Sequence, residues 1–340
     1  MTSARGILYK LISVAMFIIM SALIKATSAD IPPGEAVFFR SFFALPVIFI
    51  WLLMRGNLRT GLRVISPIGH FWRGFAGTAA MGLFFTGLGL LPLPEVTAIS
   101  YAAPLLTVVF AAMFLGETVR VFRLTAVALG LAGVMVILSP RLTVLSGPEA
   151  EIATALGAVL VFTSAVFSAL AQVYLRKLAP VEEISAIVFY FTITSTSLSL
   201  LTIPFGWVLP SLQQSALLIT AGLLGGLGQI FLTSSYRFAE ASVVAPFDYA
   251  SMLGALIIGY FIFDETPGAT MMFGVVLVIC AGILIIWRER QLGLQRGSAR
   301  RGTRARGPRT GTRPRSQTPG TAAASRRSGR FPPAATYRSH

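Results

Sequence analysis

Cysteine and histidine are almost absent from this chain of 340 residues, which has one cysteine, Cys280, and two histidines, His70 and His340. A single cysteine excludes a disulfide within the chain. Because the usual sulfur and imidazole ligands are missing, structural zinc, haem and iron–sulfur clusters have no set of donors. We therefore expect neither a metal nor any other cofactor.

Charged residues are also scarce. They make up 12% of the chain, whereas 55% of the residues are apolar and the mean hydropathy is +0.76. Soluble domains carry roughly 25% charged residues, so this composition excludes a soluble enzyme as the default and indicates a polytopic membrane protein. A Gly-x-x-x-x-Gly-Lys motif is missing as well, which excludes an ATP motor within the chain.

The net charge of +15 is concentrated at one end of the chain. Residues 288–340 hold 14 arginines and one acidic residue, Glu289. This segment is rich in Gly, Pro, Thr and Ser and cannot form a core, so we predict a disordered, Arg-rich cytoplasmic tail. Such a tail either contacts anionic lipid or is a solvated extension that fixes topology, and we expect no specific nucleic-acid binding.

Ten apolar segments are long enough to cross a bilayer, which requires about 20 residues per helix. The sequence therefore predicts an all-α protein with ten transmembrane helices. The segments are 7–26, 35–54, 71–91, 94–115, 122–139, 152–175, 184–203, 215–236, 240–263 and 268–287.

Basic residues between these segments indicate the orientation. With a cytoplasmic N-terminus, eleven of them fall on the inner side and two, Lys25 and Arg141, on the outer side. By the positive-inside rule both termini are cytoplasmic, in the inner (plasma) membrane. The inner set is Arg5, Lys10, Arg55, Arg59, Arg63, Arg73, Arg120, Arg123, Arg176, Lys177 and Arg237.

An internal repeat appears when the chain is shifted on itself by about 148 to 152 residues. The matches pair 115–118 with 263–266, Tyr101 with Tyr249, and Lys25 with Lys177. Five spans per repeat is an odd number, so the two halves cross the membrane in opposite senses. Inverted repeats are typical of secondary transporters, whose substrate binds near the middle of the membrane. We place the repeats at 1–144 and 145–287.

Several motifs resemble the drug/metabolite transporter superfamily in its ten-helix EamA-type branch, over residues 7–287. They are Phe38-Phe39-Arg40, Leu93-Pro94-Glu95-Val96-Thr97-Ala98, Phe114-Leu115-Gly116-Glu117, Ala245-Pro246-Phe247-Asp248-Tyr249 and Phe263-Asp264-Glu265. The stretches 34–41 and 69–74 look most like bacterial riboflavin importers. This resemblance implies uptake of riboflavin or a similar vitamin or cofactor, and the same branch also resembles exporters of amino acids and other small metabolites.

Two ionisable residues fall within predicted spans, where a charge is costly and indicates function. Asp248 follows Pro246 and is read as a substrate-facing acceptor or proton carrier, or as a partner of an unwound turn. Arg40 is read as a clamp for an anionic or carbonyl group, as a counter-charge to Asp248, or as a side chain that reaches the outer interface.

Aromatic and amide side chains complete the predicted substrate site. Tyr101 and Tyr249 are repeat mates that suit a flat heteroaromatic ligand or, alternatively, helix packing. The further polar candidates face either a cavity or a neighbouring helix, and they are Gln172, Tyr174, Tyr190 and Gln229.

The remaining charged residues at span ends are given structural readings. Lys25 is expected to extend to the outer interface, and Glu95 to interact with a helix dipole. Glu117 and Glu265 are expected to be caps at helix ends. The glycines of the third and eighth spans, including Gly74, are expected to allow close helix crossing.

The sequence thus predicts a secondary transporter that works by alternating access around Arg40, Tyr101, Asp248 and Tyr249. Its partners are a small-molecule substrate and membrane lipid, and the oligomeric state is left open. A membrane-embedded enzyme would need clustered His, Asp or Cys at one face, and a scaffold would have no use for Asp248 and Arg40 inside the membrane.

Overall fold

The computed structural model describes residues 2–54, 61–116, 121–142, 149–178, 181–239, 244–285 and 287. Within these ranges the regular elements are helical and no strand occurs. The α-helices are α1 (Thr2–Thr27), α2 (Pro33–Phe42), α3 (Ala44–Met54), α4 (Pro67–Leu90), α5 (Leu93–Ser100), α6 (Ala102–Leu115), α7 (Val121–Leu142), α8 (Glu149–Leu178), α9 (Ile184–Leu200), α10 (Leu212–Phe238), α11 (Ala250–Phe263) and α12 (Ala269–Ile285).

These helices form the ten predicted spans. Six stretches are long and apolar enough to cross a membrane: Ala4–Thr27, Pro33–Met54, Leu93–Leu115, Leu124–Arg141, Glu151–Leu178 and Leu212–Leu232. Shorter apolar helices cover Ser185–Leu200, Phe247–Phe263 and Ala269–Ile285, and α4 covers the third predicted segment. The second span consists of α2 and α3, and the fourth consists of α5 and α6, so the twelve helices make up ten spans. The prediction of an all-α protein with ten spans is confirmed.

Equivalent spans of the two halves are interrupted at equivalent residues. The fourth span breaks at Tyr101, between α5 and α6. The ninth span changes from the 3₁₀ segment Ala245–Tyr249 to α11 directly after Tyr249. Pro104 and Pro246 each remove a backbone donor near these breaks. Because non-helical backbone within a membrane is tolerated where it is buried in protein or lines a cavity, the breaks point to the functional region.

The same two spans also end alike. Gly116 caps α6 with φ +66°, and Asp264 caps α11 with φ +53°. Each cap donates its backbone N–H to a carbonyl one turn back, that of Ala111 or Gly259. These matched left-handed caps support the inverted repeat at the level of single residues.

Asp264→Gly is expected to stabilise the protein by up to about 1 kcal/mol, because glycine adopts the left-handed conformation without a steric penalty. The reciprocal change, Gly116→Ala, should destabilise it by roughly 1–2 kcal/mol. Thermal unfolding of the detergent-solubilised protein measures both changes. Gly268→Ala is the control, since its added Cβ meets no atom within 4 Å and its φ is ordinary. A lower melting temperature for Asp264→Gly would contradict the prediction.

Helices of the first half pack mainly against helices of the second half. The most extensive helix contacts join α1 to α10 and α4 to α8, which are equivalent pairs under the repeat. A Cβ built on Gly222 would lie 2.6 Å from Cβ of Phe43, and one on Gly74 would lie 2.6 Å from Cγ2 of Thr194. Small residues therefore permit the tight crossings expected of the third and eighth spans.

Two ends of the bundle are distinguished below. The Pro33 end is where α1 ends and α2 begins, and the Pro67 end is where α3 ends and α4 begins. Glu117, the proposed repeat boundary at 144 and 145, and the predicted tail at 288–340 lie outside the described residues. The Pro33 end corresponds to the predicted outer side.

Candidate functional site: a central cavity and two end contacts

A cavity of about 260 Å³ lies in the middle of the helix bundle. Its walls come from four spans of the first half and one of the second. Its lining is mostly apolar, with one cationic residue and three serines, a composition usual for a small-molecule site. The lining residues are Met20, Arg40, Gly77, Ala80, Met81, Phe84, Phe85, Ser100, Ser164, Ala165 and Ser168.

Arg40 is the cationic residue of this cavity and is only 6% exposed. Its guanidinium carbon lies 5.9 Å from the centroid of the Phe191 ring, and that of Arg73 lies 4.3 Å from the same ring. Gly77, one helical turn after Arg73, has no side chain, and this leaves room for Phe191, whose Cε2 would lie 2.6 Å from an added Cβ. Arg40 therefore does not extend to an interface.

Asp248 is paired with Lys10 rather than with Arg40. Lys10 Nζ lies 2.6 Å from Asp248 Oδ1, and the two side chains are 3% and 47% exposed, respectively. The counter-charge reading of Arg40 is therefore replaced by one in which α1 supplies the cation. The sequence indicates only a topology role for Lys10, because periodicity does not say which residue of a distant helix faces Asp248.

The two repeat-related tyrosines meet at the breaks of their spans. Tyr101 and Tyr249 form an edge-to-face pair with ring centroids 5.1 Å apart. The Tyr101 hydroxyl lies 2.7 Å from Ser251 Oγ, which donates to the Asp248 carbonyl at 2.7 Å. Gly282 packs against the Tyr249 hydroxyl so closely that an added Cβ would overlap it. The pair thus joins the two halves next to Asp248.

A second cavity of about 150 Å³ lies at the Pro33 end. It is lined by Ile24, Ser28, Ile31, Pro33, Ala36, Phe85, Thr86, Gly89 and Leu90. Phe85 lines both cavities and is itself only 3% exposed. Phe85 is therefore shared by the walls of the two cavities.

Lys25 bridges the two halves at the Pro33 end instead of extending to the interface. Its ammonium lies 2.9 Å from Glu265 Oε1 and donates to the carbonyls of Leu88 at 3.0 Å and Leu91 at 2.7 Å. Glu265 Oε2 accepts from the Leu93 backbone N–H at 2.8 Å. Glu265 is thus an ion-pair partner across the two halves and more than a helix cap.

Glu182 makes the corresponding contact between the halves at the Pro67 end. Its Oε1 accepts from the N–H groups of Ile65 at 2.8 Å and Ser66 at 2.7 Å and lies 3.3 Å from His70 Nε2. Burial raises the pKa of Glu182, but the two backbone donors and His70 outweigh burial, so its pKa lies below the ordinary value. The carboxylate is therefore ionised at neutral pH. Neither Glu182 nor His70 had been assigned this contact from the sequence.

Neither Asp248 nor the Tyr101–Tyr249 pair lines either cavity, and three other predicted site residues lie away from the cavities as well. Gln172 is exposed on α8, and Gln229 is half-buried on α10. Tyr190 donates its hydroxyl to the Leu62 carbonyl at 3.1 Å and contacts the His70 ring, near the Pro67 end. The structure thus favours the packing interpretation of Tyr190, and neither amide contributes to the walls described above.

Glu95 and Arg141 form one more ion pair at the Pro33 end. Arg141 Nη2 lies 2.7 Å from Glu95 Oε1, and its Nε donates to Oε2 at 3.2 Å. Glu95 also lies in the first turn of α5, as the helix-dipole interpretation requires. This two-pronged contact ties the fourth span to the end of the fifth.

This chain is similar to known proteins in sequence and in fold. The sequence pattern of the EamA-like transporter family matches residues 4–139 and 155–287. An S-adenosylmethionine uptake transporter from Rickettsia prowazekii is 27% identical, with 85% of this chain and 95% of that protein covered. A pseudopaline exporter from Pseudomonas aeruginosa is 31% identical, with 82% and 95% covered. One crystal structure has a TM-score of 0.60 at 21% identity, covering 85% of this chain and 99% of that chain, and shares the fold.

These relatives correct the expected substrate. The riboflavin assignment rested on short stretches around residues 34–41 and 69–74, whereas the relatives that align over most of the chain are named for S-adenosylmethionine and pseudopaline. Riboflavin uptake is therefore not supported. The two matched segments, 4–139 and 155–287, agree with a repeat of two five-helix halves.

Proposed function

Because the chain belongs to the EamA-like transporter family, we propose that it carries a small metabolite built on an amino acid across the inner membrane, by alternating access and without ATP. The observation that carries this proposal is the central cavity, which is lined by helices of both repeats and contains a buried arginine. S-adenosylmethionine is the first substrate to test, because an uptake transporter named for it aligns with 85% of the chain.

Export is the second candidate direction. The exporter among the relatives is 31% identical to this chain, so the sequence similarity favours export at least as much as uptake. Inverted repeats are compatible with either direction, because the same site faces each side of the membrane in turn. The direction is set by the driving gradient, and Asp248 is the proposed proton carrier.

The contacts at the two ends suggest how access alternates. Lys25–Glu265 joins the halves at the Pro33 end, and Glu182 joins them to residues 65 and 66 at the Pro67 end. We propose that each contact closes its own end and that transport requires the two to open in turn. The glycine-mediated crossings between α2 and α10 and between α4 and α9 allow the halves to move against each other.

Uptake into liposomes containing the purified protein tests this function. Radiolabelled S-adenosylmethionine should accumulate by saturable exchange against unlabelled internal substrate, and amino acids added as competitors reveal related solutes. Empty liposomes and the exposed-site variant Glu151→Gln are the controls, and the variant should transport normally. Right-side-out and inside-out vesicles then separate import from export. If neither S-adenosylmethionine nor any amino acid exchanges, the proposed substrate class is wrong.

A further inference from the structure

We propose that Arg40 and Arg73, together with Phe191, form an anion subsite that binds the carboxylate of the transported solute. This inference rests on the proposed function and adds the chemical group that the site recognises. Arg73 belongs to it although the positive-inside rule accounts for this residue only as an inner-side charge. The evidence is the buried, unused donors of both guanidiniums, the Phe191 ring that they share, and the place of Arg40 in the wall of the central cavity.

Both arginines have buried donors without acceptors. Nε of Arg40, and Nε and Nη1 of Arg73, are inaccessible and make no hydrogen bond. Within the described part of the chain, neither residue belongs to an ion pair; the pairs found there involve Lys10, Lys25, His70 and Arg141. A buried guanidinium donor without an acceptor is costly, so these groups indicate a missing anionic partner.

The neighbouring ring explains only part of the arrangement. Both guanidinium carbons lie within 6 Å of the Phe191 centroid, which is the range of a cation–π contact. Such a contact stabilises a desolvated cation, but it leaves the in-plane donors of the guanidinium unused. Two cations that share one ring also repel each other. A carboxylate would satisfy the donors and remove the repulsion.

The position of the pair suits a ligand in the cavity. Arg40 lines the cavity directly, and Arg73 lies one turn before Gly77, which lines it as well. The remaining walls are mainly apolar and include Met20, Met81 and Phe84, with Ser164 among their few polar residues. This composition fits a solute whose carboxylate meets the arginines while its apolar part fills the cavity.

A matched pair of ligands tests the subsite on the purified full-length protein. S-adenosylmethionine and its decarboxylated form differ in the carboxylate, and each proteinogenic amino acid is compared with its primary amide. We expect the carboxylate form to bind at least about tenfold more tightly, because hydrogen bonds between charged groups are stronger than those to a neutral amide. Arg40→Met and Arg73→Met should each remove most of this preference, whereas Arg63→Met, which changes an exposed charge, should leave it intact.

Thermal unfolding without ligand separates binding from a structural role. If the arginines await an anion, Arg40→Met and Arg73→Met leave the melting temperature of the ligand-free protein unchanged or raise it, because an unsatisfied cation is removed. If the melting temperature of these variants falls by several degrees, the proposed subsite is wrong. It is also wrong if acids and amides bind equally well, or if none of the acids binds. Acid-selective binding without transport would instead count against the proposed function alone.

Discussion

Asp248→Asn is expected to abolish transport and to lower stability more than Lys10→Met does. The two side chains form a 2.6 Å ion pair, but Lys10 is 3% exposed and Asp248 is 47% exposed. Removing one partner of a buried pair costs about 3–5 kcal/mol, because the other charge stays desolvated. Losing Asp248 removes the carboxylate from an ammonium that protein encloses, whereas losing Lys10 leaves a carboxylate that protein covers only about halfway.

Melting temperature and liposome uptake, measured on the same preparations, check this prediction. The double variant Lys10→Met/Asp248→Asn should recover most of the stability, because a neutral pair of similar size replaces the ion pair at little cost. It should not recover transport if Asp248 carries the proton. Normal transport by the double variant would reduce the pair to a structural contact, and equal stability of the two single variants would contradict the burial argument. Glu151→Gln is again the control.

Lys25→Met is expected to open the Pro33 end. It removes the ion pair with Glu265 and the hydrogen bonds to the carbonyls of Leu88 and Leu91. Each charged hydrogen bond contributes about 1.5–3 kcal/mol, so the population of molecules open at this end should rise about tenfold or more. Exchange of substrate should slow correspondingly, because the protein remains longer in one state.

A cysteine at position 36 reports this opening. Ala36 lines the cavity at the Pro33 end and is 3% exposed, so Ala36→Cys should react slowly with a charged thiol reagent until that end opens. The background carries Cys280→Ser, because the natural cysteine is exposed. The control is Lys177→Met. Lys177 is the repeat mate of Lys25, but it is exposed and lies beside Tyr174. An unchanged reaction rate in Lys25→Met would show that Lys25 does not hold this end closed.

The architecture was predictable because it depends on properties that are local in the chain. A bilayer requires about 20 apolar residues per helix, so ten such runs give ten spans wherever the helices later pack. The offset of about 148 residues likewise paired Tyr101 with Tyr249 and 115–118 with 263–266 before any coordinates. The matched helix breaks and left-handed caps agree with that pairing.

The partners of the charged residues were not predictable in the same way. The cost of burying a charge in a membrane identified Asp248 and Arg40 as functional candidates. That cost does not say which other residue each charge contacts. The positive-inside rule accounts for Lys10 and Arg73 as topology charges, because each lies near the predicted inner end of its span. The angle at which helices cross brings Lys10 to Asp248 and Arg73 to Phe191.

The sequence by itself therefore determined the class of protein, its spans, its inverted halves and the few residues whose charge is costly in lipid. Only the tertiary structure decided which groups these charges contact. Lys25 pairs with Glu265 at one end of the bundle, and Glu182 accepts hydrogen bonds from the backbone before α4 at the other end. Arg40 and Arg73 share the Phe191 ring. The physical reason is that hydrophobic length is read along the chain, whereas an ion pair depends on the rotation and crossing of helices that are far apart in sequence.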